Sequence, residues 1–151
     1  MMATPLDALA AGATMQGRSR TITDAEIAFL PALMGAISPL FHDEIRARES
    51  KMGGRILYGP ALLGISIALT EHLLSDRVMG LVELHRVRFR RPVRVGDTIT
   101  ARLHVRTSTP RDGKPGLLLE IEDEVVDQHG ETVLLFERLV LVKTPAPVAT
   151  S

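Results

Sequence analysis

The chain has 151 residues, with 18 basic and 18 acidic side chains and no cysteine. This length predicts one domain that can bury a sizeable core. The balanced charge gives no attraction to nucleic acid or to a membrane surface, although a near-zero net charge permits self-association. The lack of cysteine excludes disulfides, thiolate nucleophiles and cysteine-type zinc sites. No Lys or Arg precedes Arg18, which argues against a secretory signal, so we expect a soluble, cytoplasmic protein.

The first part of the chain predicts a loosely patterned start and then one helix. Residues 1–17 are interpreted as a flexible arm or a loosely docked lead-in, and residues 18–21 as a short strand. The sequence Thr23-Asp24-Ala25-Glu26 is a capping box, with a hydroxyl at the N-cap and a Glu three residues later. This box opens a helix that Pro31 interrupts or kinks and that Gly35 ends.

One stretch, residues 53–75, is the part around which the rest is organised. It contains a nearly all-apolar run, which predicts a helix that is buried all round. Gly59 permits unusual backbone angles and Pro60 suits the first helical position, so the helix is expected to begin here. Residues 36–49 before it predict a loop and then a short polar helix from residue 42.

After residue 75 the hydrophobic period changes to two, which predicts strands. These strands are expected at residues 78–95, 97–108, 117–128 and 132–143. The turns between them are short, so neighbouring strands are expected to be antiparallel. One domain at residues 18–143 is predicted, of the α+β class, in which a curved antiparallel sheet wraps one long buried helix. Residues 144–151 are interpreted as a flexible tail, and an edge strand is expected to mediate dimerisation.

Four stretches of residues 20–143 together resemble the MaoC-like acyl dehydratases, a branch of the hotdog-fold superfamily. They are ITDAEIAFLPALMGAISPLFHDE, GGRILYGPALLG, FRRPVRVGDTITARLHV and VVDQHGETVLLFERLVLV. The resemblance implies a hotdog fold, a homodimer or a heterodimer with another MaoC-like chain, and an acyl thioester on coenzyme A or a carrier protein. It also implies reversible (R)-specific hydration of a trans-2-enoyl thioester, with no cofactor beyond the thioester carrier and no metal.

The catalytic positions of that family are changed in this chain. The family's loop reads Gly-Asp-x-Asn-Pro-Leu-His, and its Asp and His together activate the water that adds to the β-carbon. The corresponding residues here are 35–42, where Ala36 takes the Asp position and Phe41 takes the His position. A histidine follows one residue later, at His42.

Several residues of this loop are candidate replacements. His42 is interpreted as a displaced catalytic base or as a solvent-facing residue at the start of a short helix. Asp43 and Glu44 are candidate carboxylates, or exposed acids of a helix first turn. Ser38 is a candidate contact for the water or the thioester, or an ordinary loop hydroxyl.

The start of the central helix is the candidate substrate cradle. Pro60 has no N–H, so the donor to a thioester carbonyl has to come from Gly59 or from Ala61 onward. Gly59 is therefore predicted to bind substrate through its N–H, and the adjacent Pro60 is predicted to bind substrate without donating. The alternative is that Gly-Pro is simply a common helix start. Tyr58, which stands where the family has His, is predicted to offer its hydroxyl or to form part of the wall.

Arginines follow along the next predicted strand. Arg86, Arg88 and Arg90 alternate, so their side chains are expected on one face. Arg88 and Arg90 are candidate contacts for the phosphates of coenzyme A, the alternative being a solvated outer face. The remaining histidines are scattered and do not have the spacing of metal ligands. The sequence also contains no nucleotide-binding glycine fingerprint.

Three functions remain open from the sequence. The first is an acyl-thioester hydratase or dehydratase, a hydro-lyase, with an altered active site. The second is a catalytically degenerate acyl-CoA-binding partner subunit of a hydratase. The third is a hotdog thioesterase, which needs a carboxylate near the helix start; the first acid of the helix, Glu71, lies about 18 Å beyond Gly59.

Overall fold

The computed structural model describes residues 9–144, apart from the side chain of Ser75. The helices are α1 (Asp24–Leu33), α2 (Pro39–His42), α3 (Glu44–Glu49) and α4 (Gly59–Leu74), and a 3-10 turn follows at Ser75–Arg77. The strands are β1 (Thr14–Thr21), β2 (Val78–Phe89), β3 (Thr98–Pro110), β4 (Leu117–Val126) and β5 (Thr132–Val142).

The five strands form one antiparallel sheet in the order β1-β3-β4-β5-β2. Side chains of β3, β4 and β5 alternate between buried and less buried positions, as expected for a sheet with one covered face. The covered face packs on α4, where Leu62 and Leu69 share a core with Ile99, Val125 and Phe136. The α+β arrangement expected from the sequence is confirmed.

Helix α4 is longer than the apolar run that predicted it, and it begins at Gly59 as expected. It is not buried all round in the single chain, which corrects that expectation. Gly64, Ala68 and Glu71 are exposed along one side. Within the apolar run, the exposed side is formed by the small residues Gly64 and Ala68. Because these residues are not polar, the sequence pattern does not distinguish this exposed side from a buried one.

The N-terminal boundary was predicted too late. Strand β1 begins at Thr14 rather than residue 18, and Leu9 is only 1% exposed and packs into a core cluster with Leu74. The predicted arm therefore does not extend to residue 17. The rest of that arm, residues 1–8, and the predicted tail at 145–151 lie outside the described residues.

Other boundaries differ for local reasons. Strand β2 ends at Phe89 and not at residue 95, because Pro92 cannot donate to a ladder and the chain turns through Gly96 at a φ of +90°. The predicted loop at 36–41 contains the short helix α2 from Pro39. The capping box of α1 forms as predicted, with the Thr23 N–H donating to Glu26 at 2.8 Å.

Candidate functional site at the N-terminus of α4

The amino end of α4 presents backbone donors beside a glycine. The N–H of Leu62 is already used, since it donates to the Tyr58 carbonyl at 3.0 Å. Gly59 and Ala61 supply the first-turn N–H groups, and Pro60 supplies none. The amino end of this 16-residue helix carries a partial positive charge from the helix dipole. This geometry suits a carbonyl oxygen on which negative charge develops.

Close packing favours glycine at position 59, whereas the unusual backbone angle expected from the sequence is not found, since its φ is not positive. A Cβ atom at this position would lie 3.2 Å from the ring of Phe89. The ring therefore covers the glycine from the end of β2. Sequence reasoning missed Phe89, because the position of a strand end relative to a helix end is set by tertiary packing.

An apolar cleft of about 210 Å³ opens beside Gly59. Its apolar walls include Met52, Ile56, Leu62 and Phe89. The exposed residues Arg90 and Arg91 also line it. A cleft of this composition fits an aliphatic group, with cations beside its opening.

The short helix α2 turns Phe41 inward. Phe41 is 8% exposed, and its ring centroid lies 5.1 Å from that of Tyr58 at an interplanar angle of 65°. The Leu40 carbonyl accepts a hydrogen bond from the Ile56 N–H at 3.1 Å, which fixes the loop to the segment before α4. A phenyl ring therefore packs against the residue that precedes Gly59.

His42 turns the other way. It is exposed, and its Nε2 lies 3.2 Å from the carbonyl oxygen of Ala36. The imidazole thus closes the loop on itself, with its ring centroid 6.3 Å from that of Phe41. The catalytic role assigned to His42 from the sequence stays a prediction.

The other polar candidates of the loop have structural partners. Ser38 accepts a hydrogen bond from the Leu40 N–H at 3.3 Å and so caps α2. Asp43 caps α3 by accepting from the Arg46 N–H at 3.0 Å. Glu44 accepts from Arg48 and Arg55, and these hydrogen bonds lower its pKa. These interactions account for the polar residue types at the two helix starts.

The predicted phosphate contacts are exposed on the surface, and Arg90 also lines the cleft. Arg86, Arg88 and Arg90 line one shallow groove with Glu122 and Glu137, as their alternation suggested. A bulge separates Arg86 from Arg88, and Arg86 has a φ of +46°. Arg86 pairs with Glu137 at 3.3 Å. The role of Arg88 and Arg90 in binding phosphates stays a prediction.

Residues 9–144 were also considered as a whole for metal ligands and for membrane-spanning helices, and they contain neither. No cluster of three or more His, Cys, Asp or Glu side chains there is arranged to hold a metal ion. No helix in that range combines the length and the apolar character needed to cross a membrane. The exposed Glu71 lies in the C-terminal half of α4, away from the Gly59 end.

A family model described as a MaoC like domain matches residues 8–125. The chain belongs to the MaoC-like domain family. Protein MaoC of Klebsiella aerogenes is 32% identical over 90 residues, which cover 60% of this chain and 27% of that protein. The match therefore spans about a quarter of the length of that relative.

Several solved structures share the architecture. The monoamine oxidase regulatory protein from Archaeoglobus superposes with a TM-score of 0.84 at 27% identity, and the superposition covers 95% of this chain and all of that one. An (R)-hydratase from A. caviae superposes with a TM-score of 0.67 at 25% identity, and the superposition covers 89% of this chain and 96% of the hydratase. A Mycobacterium tuberculosis protein with a double hotdog fold gives 0.81 at 22%, covering 96% and 45%. The fold is the hotdog fold, and the family is one of hydratases and dehydratases.

Proposed function

We propose that this MaoC-like protein binds an acyl thioester at the Gly59 end of α4 and lacks an acid–base pair of its own. The observation that carries the proposal is the inward position of Phe41 against Tyr58. Hydration of an enoyl thioester needs one group to take a proton from water and a positioned acid to return one. The Ala36 methyl and the Phe41 phenyl do neither.

The features that hold a thioester are retained. The first-turn N–H groups of α4 and its dipole suit the carbonyl oxygen, and the apolar cleft beside Gly59 suits the acyl chain. Arg88 and Arg90 offer cations to the phosphates of coenzyme A or of a carrier's prosthetic group. The proposed ligand is therefore an apolar acyl group on such a carrier, and a cytoplasmic location stays a prediction.

A binding subunit of this kind needs a partner that supplies the chemistry. Strand β2 is at the edge of the sheet and carries exposed apolar side chains, among them Met79, Val82 and Leu84. Exposed, long apolar edges are typical of surfaces that pair with another chain. We propose that β2 pairs with a second MaoC-like chain, either a copy of this one or one with an intact Asp and His.

A second candidate is a hydratase rebuilt around His42. The observation that favours it is the 3.2 Å contact from His42 to Ala36, which places an imidazole beside the position where the family has Asp. This candidate requires the His42 ring to leave the Ala36 carbonyl and turn towards the cleft, and surface segments are more mobile than the elements that they connect.

Two measurements on the purified chain separate these functions. Calorimetry with butyryl-CoA, a saturated thioester that cannot be hydrated, tests binding, and the absorbance of crotonyl-CoA tests turnover. We expect binding without turnover, and hydration when a MaoC-like chain with intact Asp and His is added. Turnover by the chain alone that disappears in His42→Ala would establish the second candidate instead. No binding of butyryl-CoA would contradict both.

The motif itself provides a gain-of-function test. Ala36→Asp combined with Phe41→His restores the two side chains at the family's positions. We expect the double variant to hydrate crotonyl-CoA, while each single variant stays inactive, because the two groups act on one water. Activity in Ala36→Asp alone would show that His42 already serves as a base.

A further inference from the structure

A buried ion pair lies between the sheet and α4, apart from the cleft. Asp123 on β4 and Arg138 on β5 are 0% and 3% exposed. The guanidinium donates to both carboxylate oxygens, from Nε at 2.7 Å and from Nη2 at 2.9 Å. Burial raises the pKa of Asp123 to about 6, against the opposing charge and hydrogen bonds of Arg138. The guanidinium of Arg138 thus places a positive charge directly against the Asp123 carboxyl.

The same guanidinium reaches the central helix. Nη2 of Arg138 donates to the Thr70 hydroxyl oxygen at 2.8 Å, and that hydroxyl donates to the Ile67 carbonyl at 3.0 Å. Thr70 is fully buried, and both hydrogen-bonding capacities of its hydroxyl are used. The hydrogen bond from Arg138 thus connects β5 to α4 directly.

This connection differs in kind from the apolar contacts around it. Burial of Leu62 and Leu69 against the sheet is favourable, but the hydrophobic effect has no preferred direction. A short hydrogen bond to a charged donor depends on distance and angle. Removing one partner of such a buried group leaves a polar atom unsatisfied, which makes displacement of the helix unfavourable.

We propose that Thr70, held by Arg138 and Asp123, is a positioning residue that sets where α4 lies along its axis and thereby places the Gly59 amide. Thr70 lies 11 residues after Gly59, about 16 Å along the helix. A hydrogen-bonded helix transmits an axial shift along its length, so movement at Thr70 also moves the amides at Gly59. The ligand at Gly59 rests on the proposed function, whereas the placement of the helix does not.

The helix offers a matched control for the test. Ser66 is one turn before Thr70, is equally buried, and donates to the Leu62 carbonyl at 2.7 Å within α4 itself. Thr70→Val removes the hydroxyl that accepts from the sheet at nearly constant shape. Ser66→Ala removes a hydroxyl whose bond stays inside the helix, and Thr70→Ser keeps the acceptor.

Hydrogen exchange and butyryl-CoA binding provide two separate readouts. In Thr70→Val we expect faster exchange confined to α4 and binding weaker by about tenfold, the loss of one strong hydrogen bond. Ser66→Ala and Thr70→Ser are expected to stay near wild type in both. Exchange in Thr70→Val that matches Ser66→Ala, or rises evenly through the chain, would overturn the positioning role. If wild type does not bind butyryl-CoA, the proposed function fails, and the exchange comparison still decides this inference.

Discussion

At the scale of single residues, Glu26 stabilises the start of α1 through two neighbours. Its Oε2 accepts from the Thr23 N–H, and its Oε1 accepts from Arg20 at 2.5 Å. Burial by itself would raise the pKa of Glu26, but the hydrogen bonds from Thr23 and Arg20 outweigh it and lower the pKa to about 2. The ionised carboxylate is therefore the form that the folded protein prefers.

This preference predicts a pH-dependent contribution to stability. Because the folded-state pKa is depressed, the contribution is present above the unfolded-state pKa of about 4.3 and is lost as the pH falls towards about 2. We expect Glu26→Gln to lower the free energy of unfolding by about 1–2 kcal/mol at neutral pH, measured by urea denaturation. The difference from wild type should shrink as the pH falls through that window. Glu49→Gln, at an exposed position, is the control, and a difference that is constant with pH would contradict the assignment.

In the segment at residues 35–42, the sequence predicts which residues take the family's catalytic positions but not where each side chain points. The spacing from Gly35 placed Ala36 and Phe41 at the family's catalytic positions, which is information carried by residue order. The direction of His42 was left open, because a loop has no fixed period from which to infer the side-chain direction. In the structure, the Phe41 ring packs on Tyr58, while His42 lies 3.2 Å from the carbonyl oxygen of Ala36.

At the scale of elements, the contact between β1 and α4 depends on Gly17. A Cβ atom there would lie 2.5 Å from the Leu69 carbonyl oxygen and 3.1 Å from that of Ala101. Gly17 has an ordinary φ, so the requirement is for space and not for an unusual backbone angle. Sequence pattern missed this element contact, because residues 14–17 alternate too weakly to predict a strand.

Two glycine substitutions should therefore have opposite effects on stability. Gly17→Ala forces β1 away from α4, and we expect it to lower the free energy of unfolding by about 1–3 kcal/mol. Gly64→Ala fills open space on the exposed side of α4, and we expect a gain of up to about 1 kcal/mol from helix propensity. Denaturant titration of the two variants checks the signs. A neutral Gly17→Ala would show that β1 does not pack on α4 as closely as described.

The alternation of side chains between the two faces of β4 and β5 also indicates which charged residues are buried. Inward positions of β4 include Leu119, Ile121, Asp123 and Val125, so a charged residue falls among apolar ones. Arg138 falls in the same way on β5. Strand parity alone therefore points to a buried pair, although its bond to Thr70 on the helix depends on packing that parity does not define.

At the scale of the whole molecule, β2 forms one of the two edges of the sheet, and β1 forms the other. Strand β2 pairs with β5 on one side only, and register shifts divide that pairing at three places. Its exposed apolar side chains include Met79, Leu81, Val82 and Leu84. Phe89, at the end of the same strand, lines the cleft at Gly59, so a chain paired along β2 would lie next to the proposed thioester site.

Pairing along β2 predicts how the oligomeric state responds to charge. We expect the purified chain to be a dimer by light scattering and Val82→Lys to be a monomer, because the interface would have to bury two ammonium groups close together. Ile45→Lys provides the matched control, since Ile45 is an exposed apolar residue on α3, away from that strand. If both variants stay dimeric, the chains pair through another surface, and the position of Phe89 no longer links assembly to the cleft. If Val82→Lys is a monomer that also binds butyryl-CoA more weakly than Ile45→Lys does, the second chain contributes to the thioester site itself.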